Sequence, residues 1–64
     1  MTRFVVQYEL EFNEGLSEND VVEIEGYNEN DAMLRFDNNV ELKEQILNDR
    51  YDSMCVTANA AWPA

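Results

Sequence analysis

Residues 3–12 read RFVVQYELEF, and apolar and polar side chains alternate along them almost without interruption. In a β-strand, successive side chains point to opposite faces of the sheet. The alternation therefore predicts a strand with one buried and one solvent-exposed face. The side chains expected on the buried face are Phe4, Val6, Tyr8, Leu10 and Phe12.

A second strand is predicted shortly afterwards. Residues 13–20 are rich in the turn formers Asn, Gly, Ser and Asp. Alternation then resumes at Val22, Ile24 and Gly26. The two strands are therefore expected to form a hairpin with a loop of several residues.

Residues 28–48 predict one amphipathic helix. Asn28 can accept a hydrogen bond from a first-turn amide, and Asp31 stands three residues later, as in a capping box. Apolar side chains then fall within an arc of roughly 140° when the chain is wound at about 100° per residue. They are Ala32, Met33, Phe36, Val40, Ile46 and Leu47.

An alternative makes residues 32–36 a third hairpin strand. The helix would then begin after residues 37–39, because Asp-Asn-Asn has poor helix propensity and good capping chemistry. The sequence leaves both interpretations open.

The last alternating segment predicts a third strand, which ends at Pro63. Its apolar members are Met54, Val56, Ala58, Ala60 and Trp62. The fold expected is α+β, in the order ββαβ, with a three-stranded mainly antiparallel sheet and one helix packed on one face. With 64 residues, the chain is expected to be a single domain spanning 1–64. The expected core consists of Phe4, Val6, Tyr8, Leu10, Phe12, Val22, Ile24, Phe36, Val40, Leu47, Met54 and Val56.

The charge of the chain is strongly negative. Fourteen Asp and Glu residues stand against four Lys and Arg, with no histidine, for a net charge of −10. Such a chain repels nucleic acid and anionic membranes and attracts basic protein surfaces. We therefore expect a basic protein partner and no direct contact with nucleic acid or membrane. High charge also keeps small proteins soluble without any partner, which is the simpler explanation.

No catalytic centre, cofactor or metal site is predicted. Histidine is absent, and the Ser and Thr residues have no basic partner at a recognisable spacing. Residues 13–20 carry oxygen ligands but lack the alternating pattern of an EF-hand loop. The single cysteine, Cys55, cannot form an internal disulfide, which indicates a reducing compartment. Cys55 is expected on the polar side of the last strand. The expected location is therefore the cytoplasm, or the host cytoplasm for a phage-encoded protein.

The predicted binding site is the polar side of the hairpin. We expect a register that pairs Leu10 with Ile24, so that Glu11 faces Glu23 and Glu9 faces Glu25. Like charges directly opposite one another destabilise a strand pair, and sequences tend to break such rules where function requires it. The four carboxylates would be about 5 Å apart across strands and about 7 Å along them. That spacing approximates successive phosphates of a nucleic-acid strand. The complete set of predicted partner-binding residues is Glu9, Glu11, Glu23, Glu25, Glu14, Glu18, Asp20 and Glu29.

Four segments follow one another in a recognisable order. They are VEIEGY at 22–27, the turn at 28–31, the helix opening AML at 32–34 and the strand at 54–59. In this order they resemble the phage-encoded inhibitors of bacterial RNA polymerase, over residues 20–60. The charge balance resembles that of the acidic DNA-mimic proteins, which include anti-restriction proteins, anti-CRISPR proteins and uracil-DNA glycosylase inhibitors. The resemblance implies an inhibitor that disables a host nucleic-acid enzyme, and it transfers no binding residue.

Two functions are therefore expected. The first is an acidic interaction protein, without enzymatic activity, that occupies the basic surface of a nucleic-acid-binding protein. The alternative is a small structural or oligomerisation module that pairs through its sheet edge, for example as a homodimer, because three strands leave two edges open.

Overall fold

Three strands and two helices form the fold in a computed structural model that describes all residues, 1–64. They are β1 (Thr2–Phe12), β2 (Ser17–Gly26), α1 (Glu29–Asp37), α2 (Val40–Asp49) and β3 (Ser53–Pro63). The sheet order is β2-β1-β3, and both pairings are antiparallel. The α+β class and the three-stranded antiparallel sheet are confirmed, whereas the prediction of a single helix was wrong.

Two asparagine caps explain why there are two helices. The side chain of Asn28 accepts a hydrogen bond from the amide of Asp31 at 2.8 Å and begins α1. The side chain of Asn39 accepts from the amide of Leu42 at 3.1 Å and begins α2. Capping satisfies amides that have no partner within the helix, so the adjacent Asn38 and Asn39 can end one helix and start the next. The alternative interpretation was right about this restart and wrong in making residues 32–36 a strand.

The register of the hairpin differs from the expected one. Ile24 pairs with Phe4 and not with Leu10, a shift of six residues, and Leu10 pairs with Glu18. The loop is shorter than expected because Gly15, at φ 81°, allows a tight turn. The amide of Phe12 donates to the carbonyl of Leu16 at 2.9 Å and closes this turn. An even shift keeps every side chain on its face, so the alternation alone could not distinguish the two registers.

Strand β3 contains two irregularities that the alternation does not reveal. Tyr8 pairs with Ala58 and Gln7 with Ala60, so Asn59 is an extra residue of the kind found in a β-bulge. Beyond this bulge, Ala60 and Trp62 turn away from the core, and Ala61 packs against it instead. A second shift leaves Met54 between the paired residues Cys55 and Ser53. The prediction that Met54, Ala60 and Trp62 share one apolar side of β3 with Val56 and Ala58 was therefore wrong.

The core lies between one face of the sheet and the helices. The buried apolar residues are Phe4, Val6, Tyr8, Leu10, Ala32, Phe36, Val56 and Ala58. Of the other residues predicted there, Phe12, Val22, Ile24 and Leu47 are partly buried against them. Val40 and Met54 are 64% and 61% exposed, respectively, so their assignment to the core was wrong. Val40 is the first residue of α2, and the break before it removes the continuous helical phase that had placed it inward.

The helices cover the sheet unevenly. Helix α1 packs on all three strands, and Gly26 lets it come close, since a Cβ at this position would lie 2.9 Å from the amide nitrogen of Ala32. Helix α2 contacts β3 and α1 but not β2. The side of the sheet that carries the helices is called the helix face below, and the opposite side the open face. On the helix face, the end of β2 that begins at Ser17 is therefore left without a helix over it.

The lengths of the helices bear on membrane contact. Neither helix is long and apolar enough to cross a membrane.

Candidate partner-binding surface

The four glutamates predicted to face one another share the open face, but they form two separate pairs. Glu9 lies opposite Asn19 and Glu11 opposite Ser17, while Glu23 lies opposite Val5. Glu25 lies opposite Arg3. The expected pairings of Glu11 with Glu23 and of Glu9 with Glu25 were therefore wrong, because they required the other register.

The separation of these pairs changes what the open face can bind. Val5, which is level with Glu23, stands four residues from Glu9 along β1, or about 13 Å at the rise of a strand. Glu23 is also partly neutralised, since it accepts from the guanidinium of Arg3 at 3.4 Å. The open face thus carries no compact array of four carboxylates at phosphate spacing.

An apolar patch lies between the two pairs. It consists of Val5, Val21, Ala60 and Trp62 around Gln7, and Trp62 is 42% exposed. This patch is not predicted from the sequence, because the alternation along the last strand puts Trp62 on the other side of the sheet. The bulge at Asn59 is what brings Trp62 across.

The remaining predicted residues do not form one surface with these. Glu29 lies in the first turn of α1, where a carboxylate interacts favourably with the helix dipole. Glu14 lies in the hairpin turn, and Glu18 and Asp20 alternate onto the helix face of β2. The last three therefore belong to the part of the sheet that the helices leave uncovered.

Two adjoining clefts occupy this uncovered part, and they are together called the acidic groove. The inner cleft, of about 170 Å³, lies between β2 and the end of α2. The outer cleft, of about 260 Å³, lies beside the hairpin turn. Five carboxylates and a single basic residue, Arg50, line the groove, which gives it a local net charge of −4. The five are Glu14, Glu18, Asp20, Asp49 and Asp52.

Arg50 and Glu18 separate the two clefts, since both residues line both. The guanidinium of Arg50 donates to the carboxylate of Glu18 and lies 5.5 Å from the ring centroid of Phe12. This ion pair connects the segment after α2 to the edge strand β2. Two charges are thereby balanced, and Asp20 and Asp49 in the inner cleft are left without an ion pair.

Tyr8 lines the inner cleft. The residue is 8% exposed, and its ring stacks on that of Phe36 with the centroids 5.3 Å apart. Its hydroxyl takes part in none of the side-chain hydrogen bonds of the structure. Burial raises the pKa of this phenol above its ordinary value, and the nearby carboxylate of Asp20 raises the pKa further. The hydroxyl is therefore neutral at physiological pH.

Sequence reasoning missed Tyr8, Asp49, Arg50 and Asp52 as members of a site. Asp49, Arg50 and Asp52 stand in the polar segment between the helix and the last strand, which gave no separate signal. Tyr8 was assigned to the core on its alternation alone, and that assignment is confirmed. The available signal was chemical, because tyrosine brings a polar hydroxyl to a face whose other side chains are apolar.

Cys55 is exposed on the open face opposite Glu11, as its polar position predicted. Desolvation raises the pKa of this thiol, and the carboxylate of Glu11 raises the pKa further. A protonated thiol is a poor nucleophile and a poor metal ligand. No group of three or more Cys, Asp or Glu side chains is arranged to hold a metal ion.

The geometry thus defines a small acidic α+β domain with a negative groove on one side of its sheet and an apolar patch on the other. No protein-family model, curated protein or solved structure matched the chain.

Proposed function

We propose that this chain is an acidic interaction protein that occupies the basic surface of a nucleic-acid-binding protein and thereby inhibits it. The observation that supports this function is the state of the four basic side chains. Arg3, Arg35, Lys43 and Arg50 each form an ion pair within the chain. Of fourteen carboxylates, four are engaged in these pairs and ten are left without one.

A surface on which every basic side chain is already paired presents a predominantly negative field to an approaching molecule. Such a field accelerates association with a basic surface and repels nucleic acid, which competes for the same surface. Solubility alone does not require every basic side chain to be neutralised internally, since surfaces of mixed sign are also soluble. The groove adds a place where the negative charge is concentrated within a concave site.

A second candidate is self-association through the sheet. Strands β2 and β3 are both edges, and the apolar patch around Trp62 lies between them on the open face. Exposed edges and apolar patches are common features of homodimer interfaces. Each copy carries a charge of −10, however, so pairing of two copies has to overcome their mutual repulsion.

The salt dependence of binding distinguishes the two functions. Added salt screens the attraction to a basic partner, whereas it also screens the repulsion between two copies of this chain and so favours their association. Immobilised protein would be exposed to a nuclease-treated bacterial lysate at low and high NaCl, and the bound proteins would be eluted with duplex DNA. We expect nucleic-acid-binding proteins to be captured, to be released by DNA and to be lost as salt rises. Sedimentation of the protein alone over the same salt range measures self-association.

The proposal would be wrong if the captured proteins persisted at high salt and were not displaced by DNA. A dimer that strengthened with salt, in the absence of any such capture, would favour the second function.

A further inference from the structure

We propose that the inner cleft of the acidic groove binds an arginine side chain of the partner, with the guanidinium seated between the Tyr8 hydroxyl and the carboxylates of Asp20 and Asp49. This inference rests on the proposed function, because it names the chemical group that a basic partner presents to this chain.

The first support is the unpartnered hydroxyl of Tyr8. The residue is 8% exposed, and the aromatic ring already packs on Phe36. A phenylalanine would provide the same packing without a polar group to satisfy. The hydroxyl oxygen remains accessible at the cleft and has no hydrogen-bond partner within the chain, so it is free to accept from a ligand. A guanidinium N–H can donate to the phenol oxygen and satisfy it.

The second support is the excess of negative charge around that hydroxyl, because Asp20 and Asp49 lie near it together with a single cation, Arg50. Asp49 is the last residue of α2, where the helix dipole is negative and a carboxylate is unfavourable. The last turn of α2 contains no basic residue, and the C-cap residue Arg50 is paired with Glu18. Asp20 accepts only from the neighbouring amide of Val21, at 2.8 Å. A cation in the cleft would therefore interact favourably with both carboxylates and with the end of the helix.

The third support is a side-chain arrangement that recurs in the molecule. Arg35 donates to Asp31 at 2.7 Å and lies 5.4 Å from the ring centroid of Tyr27. Lys43 pairs with Asp37 at 3.2 Å and lies 5.9 Å from the ring centroid of Phe36.

Arg50 repeats the arrangement with Glu18 and Phe12, at the wall of the inner cleft itself. In all three, a cation has both a carboxylate and an aromatic face as neighbours, which is a stabilising combination. The inner cleft contains two further carboxylates, Asp20 and Asp49, and the hydroxyl of Tyr8, whereas its only cation, Arg50, is already paired with Glu18.

The dimensions and the donor geometry favour arginine. A cavity of about 150 Å³ accommodates a benzene molecule, so a cleft of about 170 Å³ has room for one planar side-chain head. Guanidinium presents five N–H donors in a plane and is weakly hydrated, so it can reach several acceptors at once. The ammonium of lysine is more strongly hydrated and has three donors. Leu10 and Ile46 line the same cleft and offer apolar contact to the face of the guanidinium.

The test uses the blocked amino acids N-acetyl-arginine-N-methylamide and N-acetyl-lysine-N-methylamide as probes. Each would be titrated into the ¹⁵N-labelled protein and followed through its amide resonances. We expect saturable binding of the arginine probe, with the largest shifts at Tyr8, Asp20 and Asp49. Its dissociation constant should be at least about threefold lower than that of the lysine probe.

Three variants give the test its specificity. Tyr8→Phe removes the hydroxyl and keeps the ring stack, so it should weaken arginine binding at least about threefold without lowering the melting temperature. Asp20→Asn with Asp49→Asn should weaken it at least about tenfold. The matched control, Glu41→Gln with Glu44→Gln, removes two charges from exposed positions of α2 and should change the affinity by less than about twofold.

The inference would be overturned if the control variant lost as much affinity as the groove variant, because binding would then follow overall charge. Equal affinities for the two probes would overturn the assignment to arginine. An unchanged affinity in Tyr8→Phe, or shifts confined to the open face around Trp62, would place binding elsewhere. In these cases, DNA-reversible capture of basic proteins would still support the proposed function. Conversely, arginine binding without such capture would support the assignment of the inner cleft as an arginine site and would contradict the proposed function.

Discussion

The ring of Tyr8 in the central strand β1 stacks on the ring of Phe36 in α1, with the centroids 5.3 Å apart and the planes 17° from parallel. This contact joins the two layers of the fold at the centre of the core. Phe36 is 0% exposed and is one of the two largest fully buried side chains. The same contact holds Tyr8 beneath the acidic groove, so the packing of the core positions the candidate site.

Phe36→Ala should cost about 3 to 5 kcal/mol of unfolding free energy, because it removes a buried ring and leaves a cavity between the layers. A chain of 64 residues has a stability on the order of 3 to 10 kcal/mol, so much of it would be lost. Urea denaturation measures the change. Leu34→Ala, at an exposed position of the same helix, should cost less than about 0.5 kcal/mol. A cost for Phe36→Ala below about 1 kcal/mol would contradict its central position.

Asn39→Ala should destabilise the protein by about 1 kcal/mol, because it removes the side-chain acceptor for the amide of Leu42. Urea denaturation combined with circular dichroism reports both the stability and the helix content. Asn48→Ala, at an exposed position within α2, is the matched control and should have little effect. If the two variants behave alike, Asn39 does not cap α2.

Moderate NaCl should raise the melting temperature. At about 0.01 M salt the Debye length is about 30 Å, comparable with the 36 Å long axis of the molecule, so the unpaired carboxylates repel one another across most of it. At about 0.1 M the Debye length falls to about 10 Å and most of that repulsion is screened. The four ion pairs weaken as well, but exposed pairs contribute little. A melting temperature that falls between low and moderate salt would show that the pairs outweigh the repulsion.

The stability should decrease at alkaline pH through Tyr8. Burial and the nearby carboxylate of Asp20 raise its pKa above the ordinary value of 10.0. Above that value the unfolded state loses the phenol proton first, so the folded state binds more protons and unfolding becomes easier as pH rises. The loss is complete once the pH exceeds the pKa of the folded state.

Tyr8→Phe provides the comparison for this pH dependence. Unfolding free energies of both proteins would be measured from pH 8 upwards, and the variant should show a shallower decline above pH 10. Equal declines would show that the phenol of Tyr8 ionises as freely in the folded state as in the unfolded chain.

The Cys55 thiol should react slowly with a disulfide reagent at pH 8, because desolvation and the carboxylate of Glu11 raise its pKa. The rate should increase when the protein is unfolded in urea. Glu11→Gln should increase it in the folded protein, whereas Glu41→Gln should not. A folded rate equal to that of the unfolded chain would contradict the raised pKa.

The candidate site was only partly predictable. The sequence identified Glu14, Glu18 and Asp20 as members of a negative surface, which the structure places along the acidic groove. It assigned them to one surface with Glu9 and Glu23, because the hairpin register was misjudged. Tyr8 and Asp49 are forty-one residues apart in the chain and come together only when α2 packs on β3 and stops short of β2. No local sequence pattern indicates that these two residues lie close together in the fold.

The amino-acid sequence by itself determined the three strands, the faces of β1 and β2 and the two asparagine caps, because these depend on side-chain periodicity and on hydrogen bonds between near neighbours. Only the tertiary structure decided the register, the bulge that brings Trp62 onto the open face and the gap beside α2. An even shift in register preserves the alternation, and a bulge changes the faces without changing the composition. These features follow from how the layers pack against one another, and the free energy of that packing depends on contacts between residues far apart in the chain.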